Sequence, residues 1–321
     1  MEERRSRSGR RKKKRRGLRI FLGLVLILFV GVGLYLANVY RHVDNTTDEI
    51  YEPIDSGEVD PVRGSAVTLS EKEPISILLL GIDSGDLGRT EQGRSDSMMV
   101  ATINPNTRKT TLMSIPRDTY TEIVGYGTFD KLNHAYAFGG TAMSINSVQR
   151  LFNIPIDYYV TVNMAGIKEI VDAVGGIDVV SPISFSYGGY SFNAGESIHM
   201  DGEAALAFAR MRYDDLDGDF GRQARQRLVI EGVINKVISP NTLLNYQKIL
   251  SSLSHNVQTN FQMKDYLALQ GSNYLNALRN IESESIDGTG GYADDGIWYY
   301  YIYDEELARV QSLLRSELEI E

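Results

Sequence analysis

No cysteine occurs among the 321 residues. That absence excludes a disulfide framework, a thiolate nucleophile and a thiolate-bound zinc, so any folded domain must be held together by its core alone. Histidine is scarce: His42, His134, His199 and His255 lie in unrelated contexts, and His134 reads as a hydrogen-bonded packing residue rather than an acid or base. Neither a G-x-S-x-G elbow nor a phosphate-binding Walker loop is present, which removes the usual signatures of serine hydrolases and P-loop enzymes. Charge is missing from one whole stretch, Ile20 to Tyr40. At about 1.5 Å per helical residue those positions reach roughly 31 Å, enough to cross a hydrocarbon core.

What precedes that stretch is strongly basic. Eleven Lys and Arg against Glu2 and Glu3 in the first nineteen residues give a local balance of +9, which leaves −18 on the rest of a chain whose total is −9. Positive flanks stay in the cytoplasm, so the expected topology is a single-pass cell-membrane anchor with the N-terminus inside and the domain extracellular. A cleaved signal peptide fits less well, because the apolar stretch is long and no small-x-small site follows it. Beside a membrane span, topogenesis and contact with anionic membrane lipid explain the basic block, and no nucleic-acid partner is expected. The resulting division is a basic tail at 1–17, a transmembrane helix at 18–40, a polar stem at 41–73 and one large domain at 74–321.

Within that domain, apolar runs at Ile75 to Leu80, Met98 to Ile103 and Thr110 to Ile115 read as buried strands, the last two joined by an Asn104-Pro105-Asn106 turn. Helical and extended patterns then alternate: a helix over Gly139 to Phe152, a strand over Tyr158 to Val162, a helix over Met164 to Val174 and a strand over Ile177 to Val180. This alternation predicts an α/β fold, an αβα sandwich around a central mixed β-sheet. Gly202 to Ala207 reads as helical, Phe208 to Arg212 as extended, and Gly221 to Val237 as an amphipathic helix. A helix around Lys264 to Leu278, an aromatic strand at Trp298 to Tyr303 and a helix from Asp304 to about Leu318 complete the chain.

Arg210 to Arg227 concentrates five arginines and four aspartates in eighteen residues. Every basic residue there is Arg, whose planar fork matches phosphate oxygens. On an extended Phe208 to Arg212, Arg210 and Arg212 would share a face. Asp219 would cap the following helix, with Arg222 and Gln226 on one stripe beside its N-terminus, a seat for a diphosphate. Asp215-x-Asp217-x-Asp219 also resembles the start of a calcium loop, but Phe220 and Gln226 stand where that loop needs Gly and Glu. Upstream, Asp83 follows one strand and Asp96 opens the next, so both carboxylates are expected at one sheet edge. Such a pair suits Mg²⁺, with Mn²⁺ as the alternative, the ion completing its shell with water and phosphate oxygens. Arg117, in SIPRD at a third strand end, strengthens that reading.

Taken in order, GIDS…GRSDSMM, SIPRDTY, DKLNHAYAFGG, IVDAVGGIDV, GEAALAFARMR and GDFGRQARQR resemble the LytR-CpsA-Psr family over about residues 75–240. The resemblance implies a cell-wall phosphotransferase that moves an anionic glycopolymer (teichoic acid, capsule or similar) from a polyprenyl-diphosphate carrier to the C6 hydroxyl of peptidoglycan N-acetylmuramic acid. Carried over by motif, Asp83 and Asp96 would hold Mg²⁺. Arg94, Arg117, Lys131, Arg210, Arg212, Arg222 and Gln226 would bind the diphosphate, and Arg117, Arg210, Arg212 and Asp219 would act on the reacting group. Where many members place an Arg just after the first Asp, this chain has Ser84 and Gly85, with Arg89 as the candidate replacement. A polyprenyl-diphosphate hydrolase and a membrane-tethered regulator or lipid-binding module are the competing readings. Asp83, Asp219 and the phosphate itself are all open as proton acceptor. The prenyl chain needs an apolar slot, for which the Val, Ile and Met of Tyr158 to Val180 are candidates.

Overall fold

A computed structural model of the chain describes residues 51–53, 58–60, 62–63, 65–83, 93–239, 256–269 and 272–320. The uncharged stretch at 20–40 and Arg89 lie outside the described residues, and among those described no helix is long and apolar enough to cross a membrane.

The apolar runs become the centre of a six-stranded mixed sheet. Strand β1 (Ile75–Ile82) pairs antiparallel with β2 (Ser95–Asn104) and parallel with β6 (Tyr158–Asn163). Strand β3 (Lys109–Ile115) pairs antiparallel with β2. Two short strands close the edges, β11 (Val257–Thr259) antiparallel on β6 and β12 (Ile281–Glu284) parallel on β3. Both faces of β1 are covered, which is why its sequence, ISILLLGI, is a nearly continuous apolar run instead of an alternating one.

Leu78, Leu80, Met98, Val100, Met113 and Ile115 face one side, under helices α1 (His134–Phe152) and α7 (Asp304–Glu317). Ile75, Ile77, Met99, Ala101 and Ile103 face the other. That second side carries α2 (Met164–Ala173), α3 (Gly202–Arg210), α4 (Asp219–Val237) and two short helices, α5 (Met263–Leu269) and α6 (Ser272–Leu278). The αβα layering with a mixed central sheet is therefore the observed fold.

Several elements differ from expectation. Phe208 is helical: GEAALAFAR is rich in strong helix formers, and α3 runs on through it to Arg210. Helix α4 opens at Asp219, so Asp219 is its first residue and Gly218 stands at the N-cap without a side-chain hydrogen bond. The expected strand at Ile177 to Val180 forms (β7), but it pairs with β10 (Ser197–Met200) in a separate ribbon. Three further ribbons lie outside the main sheet: β4 (Tyr120–Ile123) with β5 (Thr128–Lys131), β8 (Phe185–Tyr187) with β9 (Tyr190–Phe192), and β13 (Gly288–Tyr292) with β14 (Trp298–Ile302). Helix α1 starts five residues before the expected Gly139 and breaks its helical angles at Gly139 and Gly140. The segment taken for a stem touches the domain where it is described: Tyr159 Oη donates to the Glu52 carbonyl at 2.6 Å, and Arg63 pairs with Asp157 at 3.1 Å.

Candidate active site

The strand ends bring the expected carboxylates to one end of the sheet. In the β1–β2 ladder Gly81 faces Ser97 and Ile82 faces Ser95, so Asp96 is the extra residue of a β-bulge. A bulge re-aims a side chain where a regular strand would alternate it. Asp83 follows immediately, its N–H donating to the Arg94 carbonyl at 3.0 Å. Gly81 has a specific reason to be glycine: a Cβ there would stand 2.9 Å from that of Ser97.

Arg117 leaves the end of β3 and reaches Asp96 at 2.8 Å. Asp118 lies 3.6 Å from the same guanidinium and pairs with Lys131 at 3.0 Å. Asp118 is thus a member of the site that was not singled out, although SIPRD contains it. Burial alone would make the Arg117 guanidinium easier to deprotonate, but Asp96, Asp118 and Asp219 together raise its pKa.

From the opposite layer, α4 delivers Arg222 and Gln226. Asp219 Oδ1 stands 2.5 Å from Arg222 Nη2, an ion pair without hydrogen-bond geometry, and its other oxygen accepts from Gln223 Nε2 at 3.1 Å. Arg222 Nε and Nη2 and Arg117 Nε are buried with no hydrogen-bond partner. Burial lowers the pKa of Arg222, and the nearby charges of Arg117 and Arg212 act in the same direction against Asp219 and Asp96. The carboxylate neighbours of Arg117 and Arg222 offset charge but leave these donors without hydrogen bonds, so they are available to an anion's oxygens. Arg210 and Arg212 are exposed on either side of buried Met211, whose extended backbone ends α3. Arg94 is exposed two residues before Asp96, and its main chain is tied to Asp83 by the hydrogen bond above.

One arginine serves a different purpose. Arg225 is 0% exposed; its Nε donates to the Phe208 carbonyl at 3.1 Å, its Nη2 to the Met211 carbonyl, and its Nη1 pairs with buried Asp215. The Asp215 carboxylate occupies the space that a side chain at Gly221 would need, since a Cβ there would come within 1.9 Å of it. This lock fastens the loop bearing Arg212 onto α4. Arg227 is also occupied elsewhere, donating to Ser114 Oγ at 2.7 Å.

An apolar slot of about 180 Å³, bordered by Arg210, lies on the face of the sheet covered by α2 and α4. Leu79, Met99, Val160, Val162, Ile170 and Ile230 are among its walls, and Ser97, Arg210 and Gln226 are its polar members. Gln226 Oε1 accepts from Ser97 Oγ at 2.9 Å, which fixes the amide over the β1–β2 bulge. Of the expected lining, Val160, Val162, Met164, Ile167 and Ile170 take part, whereas Ile177 and Val179 pack into the core between α3, α4 and β7.

Asp83 and Asp96 supply the donor type a hard divalent cation takes, two carboxylates from neighbouring strand ends. Among the described residues no group of three or more His, Asp or Glu gathers to hold an ion. A metal at Asp83 and Asp96 would therefore complete its coordination with water and ligand oxygens.

The αβα sandwich thus carries a cluster of charged side chains at one end of its sheet and an apolar slot on one face. The LytR_cpsA_psr family model matches residues 37–316, and the chain belongs to this family. It is 46% identical over 299 residues to the polyisoprenyl-teichoic acid–peptidoglycan teichoic acid transferase TagU of Enterococcus faecalis, covering 93% of this chain and 96% of that one. The crystal structure of B. subtilis TagU matches with a TM-score of 0.63 at 39% identity, over 78% of this chain and 99% of that one. A structure of TagT bound to LI-WTA matches at 0.69 and 28% identity, over 84% of this chain and 100% of that one.

Proposed function

We propose that this protein transfers a glycopolymer of the teichoic-acid type from a polyprenyl-diphosphate carrier to the C6 hydroxyl of N-acetylmuramic acid in peptidoglycan. The observation that carries this reading is the gathering of Arg117 and Arg222, with buried guanidinium nitrogens that make no hydrogen bond, at the end of a sheet whose apolar slot is rimmed by Arg210 and Gln226. One molecule with a diphosphate head and a prenyl tail meets both demands. The names of the relatives, teichoic acid transferases acting on peptidoglycan, support the same conclusion.

In the step itself, the acceptor hydroxyl oxygen bonds to the phosphorus nearest the glycan. The bridging P–O bond breaks, polyprenyl phosphate leaves with the electron pair, and the hydroxyl proton passes to a base. Arg117, Arg222, Arg210, Arg212 and Lys131 orient the diphosphate and stabilise charge that spreads over its oxygens; Arg94 is positioned to join them. Gln226, held by Ser97, sits where the head meets the slot. A Mg²⁺ or Mn²⁺ ion on Asp83 and Asp96 would neutralise phosphate charge. The slot is smaller than the roughly 300–1,000 Å³ of a typical ligand pocket, so it receives the first prenyl units and leaves the rest of the chain to the bilayer. An N-terminal anchor at 20–40, with the domain outside the cell membrane, would keep the enzyme where its lipid-linked donor resides.

The test is a transfer assay with a defined prenyl-diphosphate-linked glycan, labelled in the sugar, and peptidoglycan. Covalent label on peptidoglycan is expected. Free phosphorylated glycan without an adduct would make the protein a hydrolase instead, and binding without turnover would make it a tethered lipid-binding module. Removing divalent ions should abolish transfer, and Mg²⁺ should restore it in the wild type but not in Asp83→Ala.

A further inference from the structure

The β4–β5 hairpin presents an aromatic surface to solvent right beside the charged cleft. Both of its strands start or finish in the site, since Tyr120 follows Arg117 and Asp118 by a few residues and faces Lys131 across the ladder. Strand alternation turns Thr121 and Ile123 inward, buried against α1, and Tyr120 and Phe129 outward, 40% and 57% exposed. Tyr120 lies 5.7 Å from Phe129, 5.0 Å edge-on from Tyr299 and 5.4 Å from Tyr301, so β14 backs the hairpin with two more rings. The Lys131 ammonium is 5.9 Å from the Tyr299 ring while it pairs with Asp118. Tyr299 Oη donates to Asp295 at 3.2 Å. A row of rings bordered by a lysine and carboxylates, continuous with a phosphate-binding cleft, has the chemistry that stacks on sugar rings and hydrogen-bonds their hydroxyls.

We propose that this hairpin face is the platform for the acceptor, a glycan strand of peptidoglycan. The inference rests on the transferase reading above and deepens it. Its direction comes from the layers. The apolar slot lies on the α2–α4 face of the sheet, whereas the hairpin packs with α1 on the other face, and the arginines stand at the sheet end between them. In-line displacement at phosphorus puts the entering oxygen opposite the leaving one. A leaving polyprenyl phosphate rooted in the slot therefore requires its nucleophile from the hairpin side.

Two measurements on the full-length protein in detergent test this. The first is binding of a GlcNAc–MurNAc glycan-strand oligosaccharide without donor, and the second is the KM for that acceptor and for the prenyl-diphosphate donor during transfer. Phe129→Ala and Tyr120→Ala should each weaken acceptor binding and raise acceptor KM about tenfold, the effect of losing most of one ring's apolar contact. Donor KM should stay the same, which also shows an intact fold. Phe129→Trp should restore acceptor binding. Unchanged acceptor binding in both alanine variants overturns the proposal, as does a rise in donor KM in place of acceptor KM, which would assign the platform to the donor's sugars. Platform-dependent binding by a wild-type protein that transfers nothing would sustain the platform and refute the transferase reading.

Discussion

Arg222 and Arg225 lie three residues apart on α4, the first half-buried and the second fully buried, and are used in opposite ways. Arg225 spends its donors on two main-chain carbonyls and the Asp215 carboxylate, all within its own layer of the protein. Arg222 points past Asp219 toward the strand ends and keeps Nε and Nη2 without hydrogen bonds. Three residues at about 100° each bring the two side chains back to nearly the same side of the helix, one turn apart, so position along the helix decides which becomes a rivet and which a ligand donor. What separates the two is the satisfaction of their donors: complete at fully buried Arg225, incomplete at half-buried Arg222.

The largest effect should come from breaking the rivet. Arg225→Ala leaves Asp215 buried and unpaired and should lose about 3–5 kcal/mol of folding stability in denaturant titration. Arg225→Met combined with Asp215→Leu should recover most of that loss, because an apolar pair of similar volume carries no desolvation penalty. Stability equal to wild type in Arg225→Ala would show that the loop is held by something else.

Arg222→Ala should do the reverse. Removing a well-placed donor for developing charge lowers transfer roughly 10²–10³-fold, while stability in the same titration should not fall, since the side chain lost makes no internal hydrogen bond beyond its ion pair. The ligand response should separate the two as well. An added soluble diphosphate at about 100 times its Kd stabilises the wild type by about 2.7 kcal/mol, and Arg222→Ala should forfeit most of that shift at the same concentration.

The same contrast explains what was legible in the sequence. β1, β2, β3 and β6 were visible because they are buried on both faces and need continuous apolar runs. The edge strands β11, VQT, and β12, IESE, carry no such run and owe their pairing to the ladder beside them. Phe208 was misjudged because a short apolar run carries no period of its own, and the alanines before it decide in favour of helix. For the site, residue type was enough to gather Asp83, Asp96, Arg117 and Arg222, since paired carboxylates and crowded arginines have few structural uses. It was not enough to set Arg225 apart from Arg222, because its partners are main-chain carbonyls of Phe208 and Met211, contacts that leave no trace in residue identity. Asp118, which links Arg117 to Lys131, was legible only as part of a motif.

A second contrast lies between the two faces of the sheet. Val148 and Phe152 of α1 are fully buried in a filled core, whereas Ile170 of α2 borders an open slot. Val148→Phe should therefore overpack and cost about 1–3 kcal/mol, whereas Ile170→Phe should fold with less disturbance and instead raise the KM for the prenyl-linked donor. A stability loss at Ile170 matching that at Val148 would mean the slot closes in solution.

The smallest effect sharpens the contrast on helix starts. Asp201 and Asp219 both open helices that end or begin in the site, yet only Asp201 is a cap: its backbone is extended and its carboxylate accepts from Ala204 N–H at 2.9 Å. Asp201→Ala should cost about 1 kcal/mol, and α3 should stay in place because Ala205, Ala207 and Phe208 remain packed in the core below it. Arg210, at the far end of that helix, should keep its position, so transfer should be unaffected. Asp219 has no capping bond to lose, since it is the first helical residue and its oxygens face Arg222 and Gln223. Asp219→Ala should spare stability and depress transfer, and a variant pair behaving the other way round would show that the acidic residue at the start of α4 serves the fold instead of the anion.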